Sequence, residues 1–141
     1  MGRYKPKMGL ESEVQRAALF RAGLRRFLRK SEEVAAGCGL SPQRYDLLLF
    51  VQAAPGQRTT TTALTGMFQL GQPAVTQLVN RAEVAGLVSR TPDGLDRRRI
   101  WIELTPAGRD RLSSCLQELG EARDDLAAAI SQAERGHRQS G

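Results

Sequence analysis

Residues 71–109, GQPAVTQLVNRAEVAGLVSRTPDGLDRRRIWIELTPAGR, decide the fold. In the first part, QPAVTQLVNRAEV at 72–84, Val75, Leu78, Val79 and Ala82 recur at three- and four-residue spacing, which predicts a helix with one buried face. Pro73 falls in its first turn, where a missing N–H has no intrahelical partner to lose. LVSRT at 87–91 reads as a strand. TPDGLD is a turn, with Pro92 presetting φ and Gly94 tolerating a positive one. RIWIELT at 99–105 alternates strictly, with Ile100, Ile102 and Leu104 on one face and Arg99, Trp101 and Glu103 on the other. A hairpin therefore follows the helix directly, and its tip carries three consecutive arginines, Arg97, Arg98 and Arg99.

Upstream, TTTALTGMFQ at 60–69 predicts a short helix, capped by one hydroxyl of the Thr59–Thr62 run and ended by a tight break at Leu70-Gly71. Two short helices joined by a tight turn form a helix-turn-helix, and the hairpin behind it is a wing. LSPQRYDLLLFVQ at 40–52 predicts a further helix, with Ser41 as cap, Pro42 at the first position and Leu47, Leu48 and Val51 inward. The AAPGQR that follows is a Pro-Gly turn. Residues 11–36 predict a helix whose apolar stripe is Val14, Ala17, Ala18, Phe20, Leu24, Phe27 and Leu28, closed by Gly37 and Gly39. Arg16, Arg21, Arg25, Arg26 and Arg29 fill most of its remainder, as a solvated face or as a surface near DNA phosphates. From Pro106 to Glu134 one long helix is expected, capped by Thr105. Leu112, Leu119, Leu126 and Ala133 repeat every seven residues, with Cys115, Ala122 and Ala129 three later. That stripe suits pairing between chains and packing onto the first helix of the same chain, and the two are compatible.

The resulting fold class is mainly α with a small two- to three-stranded antiparallel sheet: a winged helix-turn-helix whose N- and C-terminal helices form a dimerisation region. The divisions are a flexible basic tail at 1–10, a supporting helix at 11–36, the winged helix-turn-helix at 40–105, a dimerisation helix at 106–134 and a disordered tail at 135–141.

Composition bounds the function. Twenty-one Lys and Arg against fifteen Asp and Glu give 141 residues a formal net charge of +6, which points to a polyanionic partner. Residues 1–30 alone hold nine of the basic residues against two Glu. No run of eighteen apolar residues exists, and the N-terminal MGRYKPKMGLESEVQ predicts no secretory leader. Two cysteines, Cys38 and Cys115, make no disulfide framework, so a reduced, cytoplasmic setting is expected. The one histidine, His137, stands in the polar C-terminal segment, which leaves neither a zinc site nor a Ser-His-acid set in the folded part. No Gly-rich phosphate loop follows a strand, and Glu32-Glu33 and Asp124-Asp125 read as solvated helix faces. No enzymatic activity and no cofactor are expected.

The quoted segment resembles the recognition helix and wing of MarR-type transcriptional regulators. That family typically shows Q-P/S-x-V-T-x-L-V-x-R-L-E, then G-L-V-x-R, an Asp-x-Arg wing tip and L-T-x-x-G. Gln72, Val75, Thr76, Leu78, Val79, Arg81, Glu83, Gly86-Leu87-Val88, Arg90, Asp96, Arg98, Leu104-Thr105 and Gly108 match, and the helix at 40–50 resembles the family's second helix. There are departures: Gly71 replaces the usual Ser or Thr cap, Gln77 the frequent Arg or Lys, and Asn80 the usual acid. Family members commonly carry one more closing helix, where here only Gly136 to Gly141 follow.

A recognition helix suits the major groove, where donors and acceptors distinguish base pairs. Its outward residues are Gln72, Pro73, Thr76, Gln77, Asn80 and Arg81. Gln and Asn can bond bidentately to adenine, and a Thr methyl can pack on thymine. Arg81 has the alternative of a local pair with Glu83 or Asp96. The resemblance implies that Arg98 enters the minor groove, whose negative potential attracts a guanidinium. Asp96 would orient an arginine, and Arg97 and Arg99 would bind phosphates. Trp101 is expected to pack the wing against the body, with base stacking as the alternative.

The resemblance further implies a homodimer on a pseudo-palindromic double-stranded operator. Repression would be relieved by a small-molecule effector bound between the helical region and the winged lobe. Some relatives sense peroxide through one cysteine; here that role would fall to Cys38, between two glycines, with Cys115 a small apolar filler. Two rival readings keep the fold: a winged-helix module that binds protein, and a basic helix at 11–30 on an anionic membrane. The wing arginines favour DNA, with no membrane partner.

Overall fold

The computed structural model describes residues 8–139, which form two compact units. One holds residues 35–117 and the other the helical segments 8–34 and 118–139. The elements are α1 (Met8–Gly37), α2 (Pro42–Ala53), β1 (Arg58–Thr59), α3 (Thr61–Phe68), α4 (Gln72–Val84), β2 (Val88–Pro92), β3 (Ile100–Leu104) and α5 (Pro106–Gln139), with a short 3-10 turn at Pro55–Gln57. No described helix is long and apolar enough to cross a membrane.

Of the two expected tails, 1–7 and 140–141 lie outside the described residues. Met8–Leu10 and residues 135–139 belong instead to α1 and α5. The stretch from Met8 to Glu11 holds no proline, its one glycine, Gly9, is too weak a breaker to stop the helix, and Glu11 in the first turn suits the positive end of the helix dipole. Gly136 alone, at a cost of about 1 kcal/mol, does not stop a helix this long.

In the unit at 35–117, the starts of α2 and α3 follow their capping chemistry. Ser41 accepts a hydrogen bond from the Arg44 N–H at 3.1 Å, and Thr60 accepts one from the Ala63 N–H at 3.2 Å. Gly71 gives α4 no side-chain cap. The turn from α3 to α4 instead runs through Gln69 in the left-handed region, at φ 53°. Leu47, Leu48 and Val51 of α2, Leu64 of α3 and Val75, Val79 and Ala82 of α4 are fully buried together with Ile102 of β3. Phe50 and Phe68 meet edge to face, with centroids 4.9 Å apart, where α2 crosses α3.

The sheet is antiparallel in the order β1-β3-β2. Its third strand, β1, occupies two residues just after the expected Pro-Gly turn. Alternation along β3 holds for Ile102 and Leu104, which are buried, but Ile100 is 46 % exposed. Ile100 pairs with Pro92 in the outermost ladder position, beyond the reach of the core.

α4 ends where Gly86 takes φ +77°, its N–H bonding the Glu83 carbonyl while the Leu87 N–H bonds that of Ala82. The next junction locks α5 to the sheet. Thr105 donates its hydroxyl to the Gly86 carbonyl at 2.6 Å and accepts the Gly108 N–H at 3.1 Å, while its own N–H bonds the Leu87 carbonyl. Gly108 is packed so closely on that strand that a methyl group there would overlap the Leu87 carbonyl oxygen.

In the other unit, α1 and α5 run antiparallel. Gly23 faces Leu126 and Ala129, and Arg16 pairs with Glu134 at 2.6 Å. Leu119, Ala122 and Ala133 of the predicted heptad stripe are buried. The stripe expected inward on α1 is mostly not: Val14, Phe20 and Leu28 are each about half exposed or more, while Leu24 and Phe27 are partly covered.

Candidate nucleic-acid interface

The outward face of α4 is as the periodicity predicts. Val75, Val79 and Ala82 face the core, whereas Leu78, expected inward with them, is only half-buried; Gln72, Pro73, Gln77, Asn80 and Arg81 are exposed and Thr76 partly so. This face is rich in amide and hydroxyl groups, with a single charge at its end. Arg81 makes neither of the local pairs open to it. Glu83 bonds Arg90 of β2 at 3.4 Å, and Asp96 is engaged within the wing.

The wing tip, residues 93–99, is a closed loop rather than a loose end. The Asp93 N–H bonds the Arg99 carbonyl at 2.8 Å. Two Asx turns order the loop inside that closure. Asp93 Oδ1 accepts the Leu95 N–H at 3.1 Å, and Asp96 Oδ1 accepts the Arg98 N–H at 3.0 Å. Asp96 thus bonds the backbone N–H of Arg98 rather than a guanidinium. Its effect is still to fix where Arg98 emerges. Arg97, Arg98 and Arg99 are exposed, and none forms an ion pair among the described residues. Three adjacent guanidinium groups without an anion repel one another.

An open groove of about 800 Å³ runs between the segment 54–63 and the wing and reaches the first residue of α4; Arg58, Gln72, Asp96, Arg98, Arg99 and Trp101 are among its lining. Arg58 was not foreseen. A two-residue strand carries no periodicity, and Arg58 announces itself only as the basic residue before the threonine run. Trp101 packs against side chains rather than into the core: the Arg58 guanidinium lies 4.1 Å from its ring centroid and that of Arg99 5.5 Å.

The cysteines lie away from this surface. Cys115 is fully buried and Cys38 partly so, neither in a disulfide. Cys38 stands in the turn after α1, where its carbonyl accepts a hydrogen bond from Arg111 at 3.1 Å. The side chain of His137 lies outside the described residues.

A lobe with an amide-lined helix beside a basic hairpin defines the winged helix-turn-helix class. The MarR family model matches residues 39–99. A Thauera aromatica protein named as transcriptional regulatory protein for the hcr operon is 31% identical over 98 residues, covering 70% of this chain and 58% of its own. The transcriptional repressor YetL of Bacillus subtilis is 33% identical over 85 residues, covering 60% of this chain and 51% of its own. The matches thus span little more than half the length of these relatives. The crystal structure of apo MarR from E. coli superposes with a TM-score of 0.70 at 19% identity, covering 87% of this chain and 93% of that one. A variant of the same protein complexed with operator DNA gives 0.69. Over residues 39–99 the chain is similar to the MarR family, and its fold is that of the MarR structures.

Proposed function

We propose that this chain is a sequence-specific double-stranded DNA-binding transcriptional regulator that acts as a homodimer and represses by occluding its operator. One observation carries the reading. Gln72, at the start of the hydrogen-bonding helix face, and Arg98 and Arg99 of the ordered wing line one groove. Gln72, Thr76, Gln77 and Asn80 suit base edges in the major groove. Arg98, held out by the Asp96 turn, suits the adjacent minor groove, with Arg97 and Arg99 on phosphates. The operator DNA seen with the E. coli relative supports this reading, as do the names of the two curated relatives.

Dimerisation is supported by α1. At about 100° per residue, Leu10, Val14 and Leu28 fall within about 40° of each other on its surface, and each is more than half exposed in the single chain. Two recognition helices would then read half-sites about 34–36 Å apart. A small molecule that alters their spacing would release the operator.

Selection of bound sequences from a random duplex pool, begun alongside the promoter of the protein's own gene, tests the reading. A pseudo-palindromic consensus is expected. Arg98→Ala should weaken binding about tenfold and lower the slope of log K against log salt by about 0.9. A parent protein that shows no salt-dependent duplex binding would instead favour the protein-interaction module.

A further inference from the structure

The base of the wing is built around an aromatic ring. Trp101 is the chain's one tryptophan. Alternation puts it on the face of β3 that also carries Arg99 and Glu103. β1 adds Arg58 to that face, directly across from Glu103. From there Arg58 reaches diagonally along the sheet to Trp101. Its guanidinium carbon stands 4.1 Å from the ring centroid and that of Arg99 5.5 Å. Both lie inside the range of about 6 Å in which a ring quadrupole holds a cation. Neither arginine forms an ion pair among the described residues, although Glu103 is the cross-strand neighbour of Arg58. The indole N–H is buried and has no acceptor among the described residues, so what the ring offers its neighbours is its face.

Two guanidinium groups on one ring repel each other, and the ring offsets that only in part. An anion completes the arrangement. Both groups line the groove that holds Gln72 and Arg98. The anion within reach is therefore a backbone phosphate of the duplex whose bases face Gln72.

We infer that Arg58 is a DNA-backbone contact and that Trp101 is a positioning residue, holding Arg58 and Arg99 as a two-pronged phosphate clamp between recognition helix and wing. The inference rests on the DNA-binding reading above and adds to it a contact from β1. The ring's contribution is preorganisation: it holds the guanidinium planes before DNA arrives, so less side-chain freedom is lost on binding. A lysine at 58 would keep the charge and lose the stacking.

Fluorescence anisotropy with a labelled mixed-sequence duplex of about 30 base pairs, across a salt series, tests this. Arg58→Ala is expected to weaken binding about five- to tenfold at low salt and to lower the salt slope by about 0.9. Arg58→Lys should keep the slope and lose about threefold in affinity, and Trp101→Leu should do the same, since all the charges remain. In the Trp101→Leu background, Arg58→Lys should cost nothing more, and Trp101→Phe should restore most of the affinity. If the parent shows no salt-dependent binding, the DNA-binding reading falls and takes the clamp with it. If the parent binds but Arg58→Ala leaves affinity and slope unchanged, the clamp alone is overturned. Parent-like affinity in Trp101→Leu overturns the positioning role. Should Trp101→Leu fail to fold by circular dichroism, the variants of exposed Arg58 still decide: parent-like affinity in Arg58→Lys overturns the positioning role.

Discussion

Asp93 and Asp96 show how acidic side chains serve a surface suited to a polyanion. Each uses its Oδ1 to hold a backbone N–H of the wing, and so orders the loop that carries the arginines. Asp46 is the contrasting carboxylate. Partial burial on α2 raises its pKa above the ordinary value, because desolvation disfavours the charged form. The folded state therefore binds its proton more tightly than the unfolded chain does. Stability is lost as pH rises from the unfolded value through the raised folded one. Asp46→Asn should accordingly melt higher than the parent at pH 7, with the gain vanishing below about pH 3, where both side chains are neutral. A gain that stays constant across that range in thermal melts would refute the assignment. At this scale the helix residues were legible and the sheet residues less so. Gln72 to Arg81 could be assigned to faces because every third or fourth neighbour confirms the one before. Ile100 obeys the alternation and is still exposed, because a strand pattern does not tell where the core stops.

Among the elements, the join between β2 and α5 has the least tolerance. The L-T-x-x-G string marks a point where Thr105 bonds two carbonyls and an amide and Gly108 rests on the Leu87 carbonyl. Gly108→Ala is expected to destabilise by about 2–4 kcal/mol in urea unfolding, because the obstructing atom is backbone and cannot rotate away. An exposed glycine such as Gly66, which has open space around it, should instead gain up to about 1 kcal/mol as alanine. Comparable effects at the two sites would contradict the packing argument. The order of α2, α3, α4 and the hairpin was readable from caps, prolines and turn residues. β1 was not, since its place is fixed by pairing with Glu103 and Ile102, more than forty residues later. The ends of α1 and α5 ran past their expected limits because helix length depends on the absence of a breaker as much as on the presence of a stripe.

For the whole molecule, charge total and charge placement give different guidance. The N-terminal thirty residues hold most of the basic surplus, yet the arginines that line one groove, Arg58, Arg98 and Arg99, are on β1 and the wing. The exposed apolar residues of α1 make a prediction at this scale. The parent should run as a dimer of the 15.5 kDa chain in light scattering, and Val14→Glu with Leu28→Glu should give a monomer that binds a full operator at least about tenfold more weakly. A parent that is monomeric at micromolar concentration would remove the dimer from the proposal.

The ordered wing has one more consequence. Its arginines face outward with no ion pair among the described residues, so on the DNA-binding reading they would attract a duplex of any sequence, most strongly at low salt. On the DNA-binding reading, a molecule that leaves its operator does not enter free solution but moves onto the nearest stretch of chromosome. Induction is then a redistribution along DNA, and its completeness depends on how much bulk DNA competes for each copy.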